Sequence, residues 1–268
     1  MVMQQHFYEQ LDVIAANTWP AETCSTLGQW QLRASRGVTK RANSVLAIGG
    51  YPPEPDWLQR VEQFYHNQDL PAIFHISPAS PATLDAYLQE QGYVIDTPCL
   101  IMTAESQTVL QFAEERLKSQ YVDASDLQID ISPVATAAWL EAFLRLEQFP
   151  DTRMSFYRGL SERMPAPKAF ITLLEHGQVV ALGTALVEGD WAGFVNVIVD
   201  EAYRGKGYGY AILHALTAWS MVNGATQQYL QVITSNVPAV TLYEKLSYRS
   251  VYGYHYRVKY DIPSLVSS

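Results

Sequence analysis

The sequence predicts an α/β (α+β) protein made of two similar halves in tandem, and three observations carry that prediction. Runs of β-branched residues alternate with stretches of helical period along most of the chain. One such strand passes through a glycine-rich loop into one such helix. The order of elements around that loop recurs in the first half with other residues. At 268 residues, 48% hydrophobic and 17% charged, the chain has room for a sizeable core in one large or two modest domains.

The first half reads strand, loop, helix, strand, helix over Asn43–Tyr93, and its loop position holds "GGYPPEP", whose prolines remove N–H donors. The polar stretch Lys118–Gln128 reads as a linker. Two helices follow, "TAAWLEAFLRLEQF" and "MSFYRGLSERM", separated at Pro150 and Asp151. "AFITLLEHGQVVALGTALVEGD" reads as two strands joined at His176-Gly177-Gln178. "GFVNVIVD", Gly193–Asp200, is a buried strand, and after the loop Ile212, Leu213, Leu216 and Trp219 give the next helix an apolar face. A strand "QYLQVIT", a helix over Val237–Tyr248 and the tyrosine-rich strand "YGYHYRVKY" close the order.

The loop itself, Arg204–Gly209, packs three glycines and two cations into six residues. Its spacing is neither that of a Walker loop, since Lys206 is followed by Gly207, nor that of a dinucleotide fingerprint, since the glycines alternate. Glycines that let amides approach an anion, ahead of a helix N-terminus with its unpaired donors, point to phosphate binding. A turn made only for tight packing is the alternative reading.

A formal charge of −9 lacks the basic field a general nucleic-acid binder needs. Cys24 and Cys99 read as free thiols, and nothing around them has metal-ligand spacing. The start lacks a basic segment followed by an apolar block, and no run reaches the ~18 apolar residues of a membrane span. A soluble, cytoplasmic protein without metal is expected.

"VNVIVDEAYRGKGYGYAIL" followed by "NVPAVTLYEKLSY" resembles the GNAT acyl-CoA-dependent N-acetyltransferases, with their R-x-x-G-x-[GA] loop and later N-x-x-A-x-x-L-Y-E-K helix. The resemblance covers about Ile129–Tyr260 and implies a mixed, mostly antiparallel sheet flanked by helices. It also implies that acetyl-CoA is the cosubstrate. The backbone of Arg204, Gly205, Lys206, Gly207, Tyr208 and Gly209 would hold its pyrophosphate, and that of Val197, Ile198 and Val199 its pantetheine arm. Asn236 would contact the cosubstrate as well as cap a helix, and Tyr243 would protonate the leaving thiolate. Packing between helix and sheet is the structural alternative for Tyr243.

Two departures stand out. Ser247-Tyr248 replaces the Gly-Phe common after the last helix, which places a serine where a left-handed residue is needed. Asn196 occupies the strand position where many relatives carry a catalytic carboxylate, so the base is open between Glu188, Asp190 and a water held by Asn196. Attack in a ternary complex needs no nucleophilic side chain.

The first half resembles a degenerate GNAT repeat. It has Pro81 and Leu88 where the second half has Asn236 and Tyr243, and is expected to bind no acetyl-CoA. Arg36, Arg41 and Asn43 could reach an acceptor cleft or serve only a strand edge. The expected organisation is a degenerate domain over 1–122 and a catalytic domain over 128–262, as monomer or homodimer. The expected reaction is acetylation of a primary amine on a small molecule. Acetylation of a protein or peptide amine, and a non-catalytic acyl-CoA sensor, are the alternatives.

Overall fold

The computed structural model describes residues 2–118 and 127–260. Residues 119–126 of the stretch expected as a linker lie outside them. In chain order the elements are α1 (Val2–Thr18), β1 (Thr23–Leu27), β2 (Trp30–Ala34), β3 (Val45–Leu46), α2 (Trp57–His66), β4 (Ile73–Ile76), α3 (Leu84–Glu90), β5 (Val94–Glu105) and α4 (Ser106–Lys118). They continue with β6 (Leu127–Ser132), α5 (Ala137–Leu146), α6 (Met154–Arg163), β7 (Lys168–Glu175), β8 (Gln178–Glu188), β9 (Trp191–Val199), α7 (Tyr208–Val222), β10 (Gln227–Ile233), α8 (Val237–Lys245) and β11 (Arg249–Val258).

The described residues form two compact units: 2–99 together with 252–260, and 100–118 together with 127–251. The halves expected along the sequence, 1–122 and 128–262, therefore exchange their closing strands. β5 begins in the first unit and ends in the second, and β11 does the reverse.

The second unit carries the strands in the order β5-β10-β9-β8-β7-β6. β6 to β9 are antiparallel neighbours, while β9 and β10 run parallel, the mixed and mostly antiparallel sheet the resemblance implies. A parallel pair needs a crossover, and α7 supplies it. Ile212, Leu213 and Leu216 of α7 are fully buried, as their spacing predicts. On β8, Gly183 admits α7 closely, because a Cβ there would stand 2.9 Å from Leu216 Cδ1. The β7–β8 hairpin turns on His176 (φ +50°) and Gly177 (φ +78°), two left-handed residues as a type I′ turn requires.

The first unit orders its strands β1-β2-β3-β4-β11. β3 and β4 are parallel, linked through α2, and α3 follows; this repeats the β9-α7-β10-α8 order of the second unit. The fit ends at the space between the parallel strands. Gly49 N donates to Ala79 O at 3.0 Å, tying the end of β3 to the segment after β4. Trp30 donates from Nε1 to Gly50 O at 2.9 Å, and its ring meets Trp57 edge-on at 5.1 Å, so aromatic packing and a backbone bond occupy the region.

Candidate functional site

In the second unit β9 and β10 pair only over Trp191–Phe194 against Gln227–Leu230. Beyond Phe194 the strands part, because β9 carries an extra residue. Leu182 pairs with Ile198 and Thr184 with Val195, which sets the single Gly183 opposite both Asn196 and Val197. Asn196 takes φ +56°, a conformation that asparagine tolerates better than most residues. The bulge bends β9 away from β10.

A cleft of about 790 Å³ opens in this unit. Val197, Ile198 and Val199 line it from the strand; Arg204, Gly205, Gly207 and Gly209 from the loop; Asn236 and Tyr243 from the second helix. Nine of the residues picked from the sequence thus meet in one concavity. The strand edge they include has lost its β10 partner, so its backbone is available to a bound chain.

At one end of the cleft the loop forms a nest of donors. Asp200 fixes its start, accepting from Ala202 N at 3.0 Å through Oδ1 and from Arg145 Nη1 at 3.1 Å through Oδ2. Gly205 (φ +75°) and Gly207 (φ +102°) turn the backbone through conformations a side chain would strain. Gly207 is the N-cap of α7, and its carbonyl accepts from Tyr210 N and Ala211 N. Among the described residues, the amides of Gly205 to Gly209 donate to no protein group. Successive N–H groups without protein acceptors at a helix N-terminus have the donor chemistry that suits an anion. Gly209 has a separate reason: a Cβ there would lie 2.8 Å from Leu242 Cδ2 on α8.

Two loop side chains turn elsewhere. The exposed Lys206 sets its Nζ 5.0 Å from the centre of the Tyr203 ring. The Tyr208 ring is buried, and its hydroxyl donates to Glu175. Neither Lys206 nor Tyr208 is among the residues that line the cleft.

Asn236 caps α8, its Oδ1 accepting from Ala239 N at 3.3 Å, and it lines the cleft as well. Tyr243 is buried to 8% exposure, and burial pushes its hydroxyl up to about 12. It therefore stays protonated through the neutral range. Its hydroxyl has no hydrogen-bond partner among the described residues. Ser247 takes φ +71°, the left-handed position its place after α8 predicts, and Tyr248 N reaches back to Tyr243 O at 3.0 Å.

The base candidates fare differently. Glu188 pairs with Trp191 at the start of β9, five residues from Asn196, or about 17 Å along an extended strand. It does not line the cleft, and neither does the adjoining Asp190. Strand register sets Glu188 at the end of the hairpin where β9 and β10 are still paired. The lining carboxylate is Glu147, the residue after α5, which sequence spacing does not single out. A helix-ending residue before Gln148 (φ +55°) carries no motif, so only the fold reveals it.

No helix among the described residues is long and apolar enough to cross a membrane. No group of three or more metal-ligating side chains occurs among them.

Comparison with known proteins places these features. The family described as "Probable histone acetyltransferase Rv0428c C-terminal" matches residues 9–260. The chain is 36% identical over 250 residues to the "Uncharacterized N-acetyltransferase YobR" of Bacillus subtilis, covering 93% of this chain and 98% of that protein. It is 30% identical over 104 residues to the "[Ribosomal protein bS18]-alanine N-acetyltransferase" of Escherichia coli K12, covering 39% of this chain and 68% of that one. Among solved structures, a "Tandem GNAT protein from the clavulanic acid biosynthesis pathway" superposes with a TM-score of 0.67 at 9% identity, over 92% of this chain and 86% of that one, a likeness of fold.

Proposed function

Because this chain belongs to the GNAT N-acetyltransferases, through the Rv0428c C-terminal family, we propose that it transfers the acetyl group of acetyl-CoA to a primary amine of a small molecule by direct attack in a ternary complex. The observation that carries the reading is the joining of Gly205, Gly207 and Gly209 of the loop, an unpaired strand edge and Tyr243 in one cleft.

The residues present fit acetyl-CoA by their donor chemistry. The amides of Gly205 to Gly209 and the dipole of α7 suit a pyrophosphate, with Arg204 adding charge. The edge of Val197–Val199 suits the amide groups of a pantetheine arm. The thioester supplies an activated acyl carbon and a thiolate leaving group. An alkylammonium, with a pKa near ~10, must lose its proton before it can attack. Glu147 takes this proton, directly or through water. A backbone N–H of the bulged β9 steadies charge on the carbonyl oxygen, and Tyr243 protonates the departing sulfur.

The first unit takes no part in holding acetyl-CoA. Its strand gap is tied by Gly49 N to Ala79 O, and its loop position has prolines at 52, 53 and 55 where the second unit has amides. Calorimetric titration with acetyl-CoA tests both statements. One site per chain supports the reading, and absence of binding at millimolar cosubstrate removes it. An amine panel read by CoA release then identifies the acceptor class.

A second reading, acetylation of a protein or peptide amino terminus, is supported by the E. coli relative, whose name gives a ribosomal protein alanine as its acceptor. Peptides with free amino termini in the same panel separate the two. Binding without turnover on any amine would favour an acyl-CoA sensor.

A further inference from the structure

The two tyrosines that bracket the glycines of the anion loop both end on one hairpin. Tyr203, before Gly205, donates from its hydroxyl to Gln178 Oε1 at 3.2 Å. Tyr208, after Gly207, donates to the Glu175 carboxylate. Glu175 and Gln178 are paired across the base of the β7–β8 turn, so the two anchors share a single rigid support. The tyrosine rings meet edge to face at 5.5 Å, and Lys206 lies over Tyr203.

Nothing in phosphate binding requires this. The nest consists of amides, and the two left-handed glycines give it its shape and also its freedom to lose that shape. Adjacent N–H groups left without acceptors repel one another when no anion is present. Ordering them at the moment of binding would draw on the binding energy. Pinning the residue on each side of the glycines to a tight type I′ hairpin removes that demand in advance. Burial, then the neighbouring Glu175, pushes the Tyr208 hydroxyl up, which keeps it a donor. A carboxylate beside an anion site would otherwise oppose binding; here its oxygen is engaged by the phenol.

We propose that Glu175 and Gln178, though outside the cleft, are positioning residues that hold the loop Arg204–Gly209 in its anion-binding shape through Tyr208 and Tyr203. The proposal rests on the acetyl-CoA reading above for its ligand, and on the hairpin geometry alone for its mechanism.

The test uses the full-length protein with Glu175→Leu, Gln178→Leu, the double variant, and Glu175→Gln, which keeps an accepting oxygen. Two readouts are taken: amide hydrogen exchange over residues 205–209 without ligand, and the acetyl-CoA dissociation constant with the matching split of KM and kcat. The leucine variants are expected to speed exchange at the loop and weaken acetyl-CoA by about tenfold, with kcat at saturating acetyl-CoA held within about twofold. Glu175→Gln is expected to restore both. Loop exchange equal to wild type in folded leucine variants overturns the proposal. So does weakening that Glu175→Gln reproduces in full, since that would trace to charge. If wild type itself fails to bind acetyl-CoA, the functional reading falls, while the exchange experiment still decides the anchoring. Should the leucine variants unfold, Tyr203→Phe and Tyr208→Phe read the same bonds from the other side.

Discussion

Asn196 donates from Nδ2 to Thr184 Oγ1 at 3.3 Å across the β8–β9 pair, from a backbone held at φ +56°. The two facts belong together. The bulge needs a residue that accepts the left-handed conformation, and the amide bond fixes it there. In place of a proton acceptor the chain has put a residue that shapes the strand.

Asn196→Gly should therefore keep the bulge and most of the turnover. Asn196→Ala should lose about 1–2 kcal/mol of stability, together with activity, because alanine is strained at this φ. Urea unfolding and kcat measured side by side decide it. A glycine variant that folds well yet is as inactive as the alanine one would return the side-chain amide to the chemistry.

Tyr243→Phe should lower kcat by about a hundredfold and leave the acetyl-CoA dissociation constant within about twofold. Burial holds the hydroxyl up to about 12, so the protonated, donating form dominates below that value and is lost only above it. A falling limb in the pH profile near 8 or 9 would then belong to another group. Should that limb vanish in Tyr243→Phe, the assignment of the tyrosine as a high-lying acid fails.

Glu147→Gln keeps the size of the side chain and removes its basicity. We expect kcat/KM at neutral pH to fall by about a hundredfold, with acetyl-CoA binding unchanged. The deficit should shrink with acceptors of lower amine pKa, which reach the enzyme already deprotonated. A uniform deficit across such a series would mark Glu147 as a binding group for the acceptor.

Much of this was legible beforehand, for physical reasons that differ by residue. The turn of the glycine loop was readable because positive-φ glycines have few substitutes, and Gly205 and Gly207 are at +75° and +102°. Ser247 was readable for the same reason, at +71°. The element order of the repeat was visible because a parallel pair demands a crossover helix. Glu147 and Glu188 were not distinguishable, since a carboxylate has no periodicity to say where register will place it. The exchange of closing strands was invisible too: β5 was not singled out, β11 reads as a strand wherever it pairs, and a local pattern does not name a partner.

Gly207→Ala adds one methyl group at φ +102° and no charge. The strain should reshape the nest and weaken acetyl-CoA by tenfold or more, on the order of 1–2 kcal/mol. Gly209→Ala should instead act through packing, because its Cβ would meet Leu242 Cδ2 at 2.8 Å and oblige that side chain to shift. Titration calorimetry and thermal unfolding on both variants separate the causes. Equal affinity in Gly207→Ala would mean the loop backbone does not hold the anion.

The end of β11 is secured by a buried cation. Arg257, 3% exposed, donates from Nε to Asp85 Oδ1 at 2.7 Å, from Nη2 to Asp85 Oδ2 at 3.1 Å and from Nη1 to Tyr93 O at 3.1 Å, and His255 Nε2 lies 2.8 Å from Asp85 Oδ1. The Arg257 hydrogen bonds chiefly, and His255 after them, hold the Asp85 carboxyl below its ordinary value against the opposing effect of burial. A folded-state value below the unfolded one means the stabilisation is present above about pH 4 and disappears as pH falls through the lower, folded value. Asp85→Asn should accordingly cost about 1–3 kcal/mol near neutrality. That is less than for a fully enclosed pair, because the Asp85 side chain is 40% exposed. Urea unfolding of both proteins, repeated below about pH 4, should show the gap between them narrowing as the wild-type carboxylate protonates. A gap that stays constant with pH would mean Asp85 acts through shape alone, and Arg257 would then be held by its bonds to Tyr93 and Gln89.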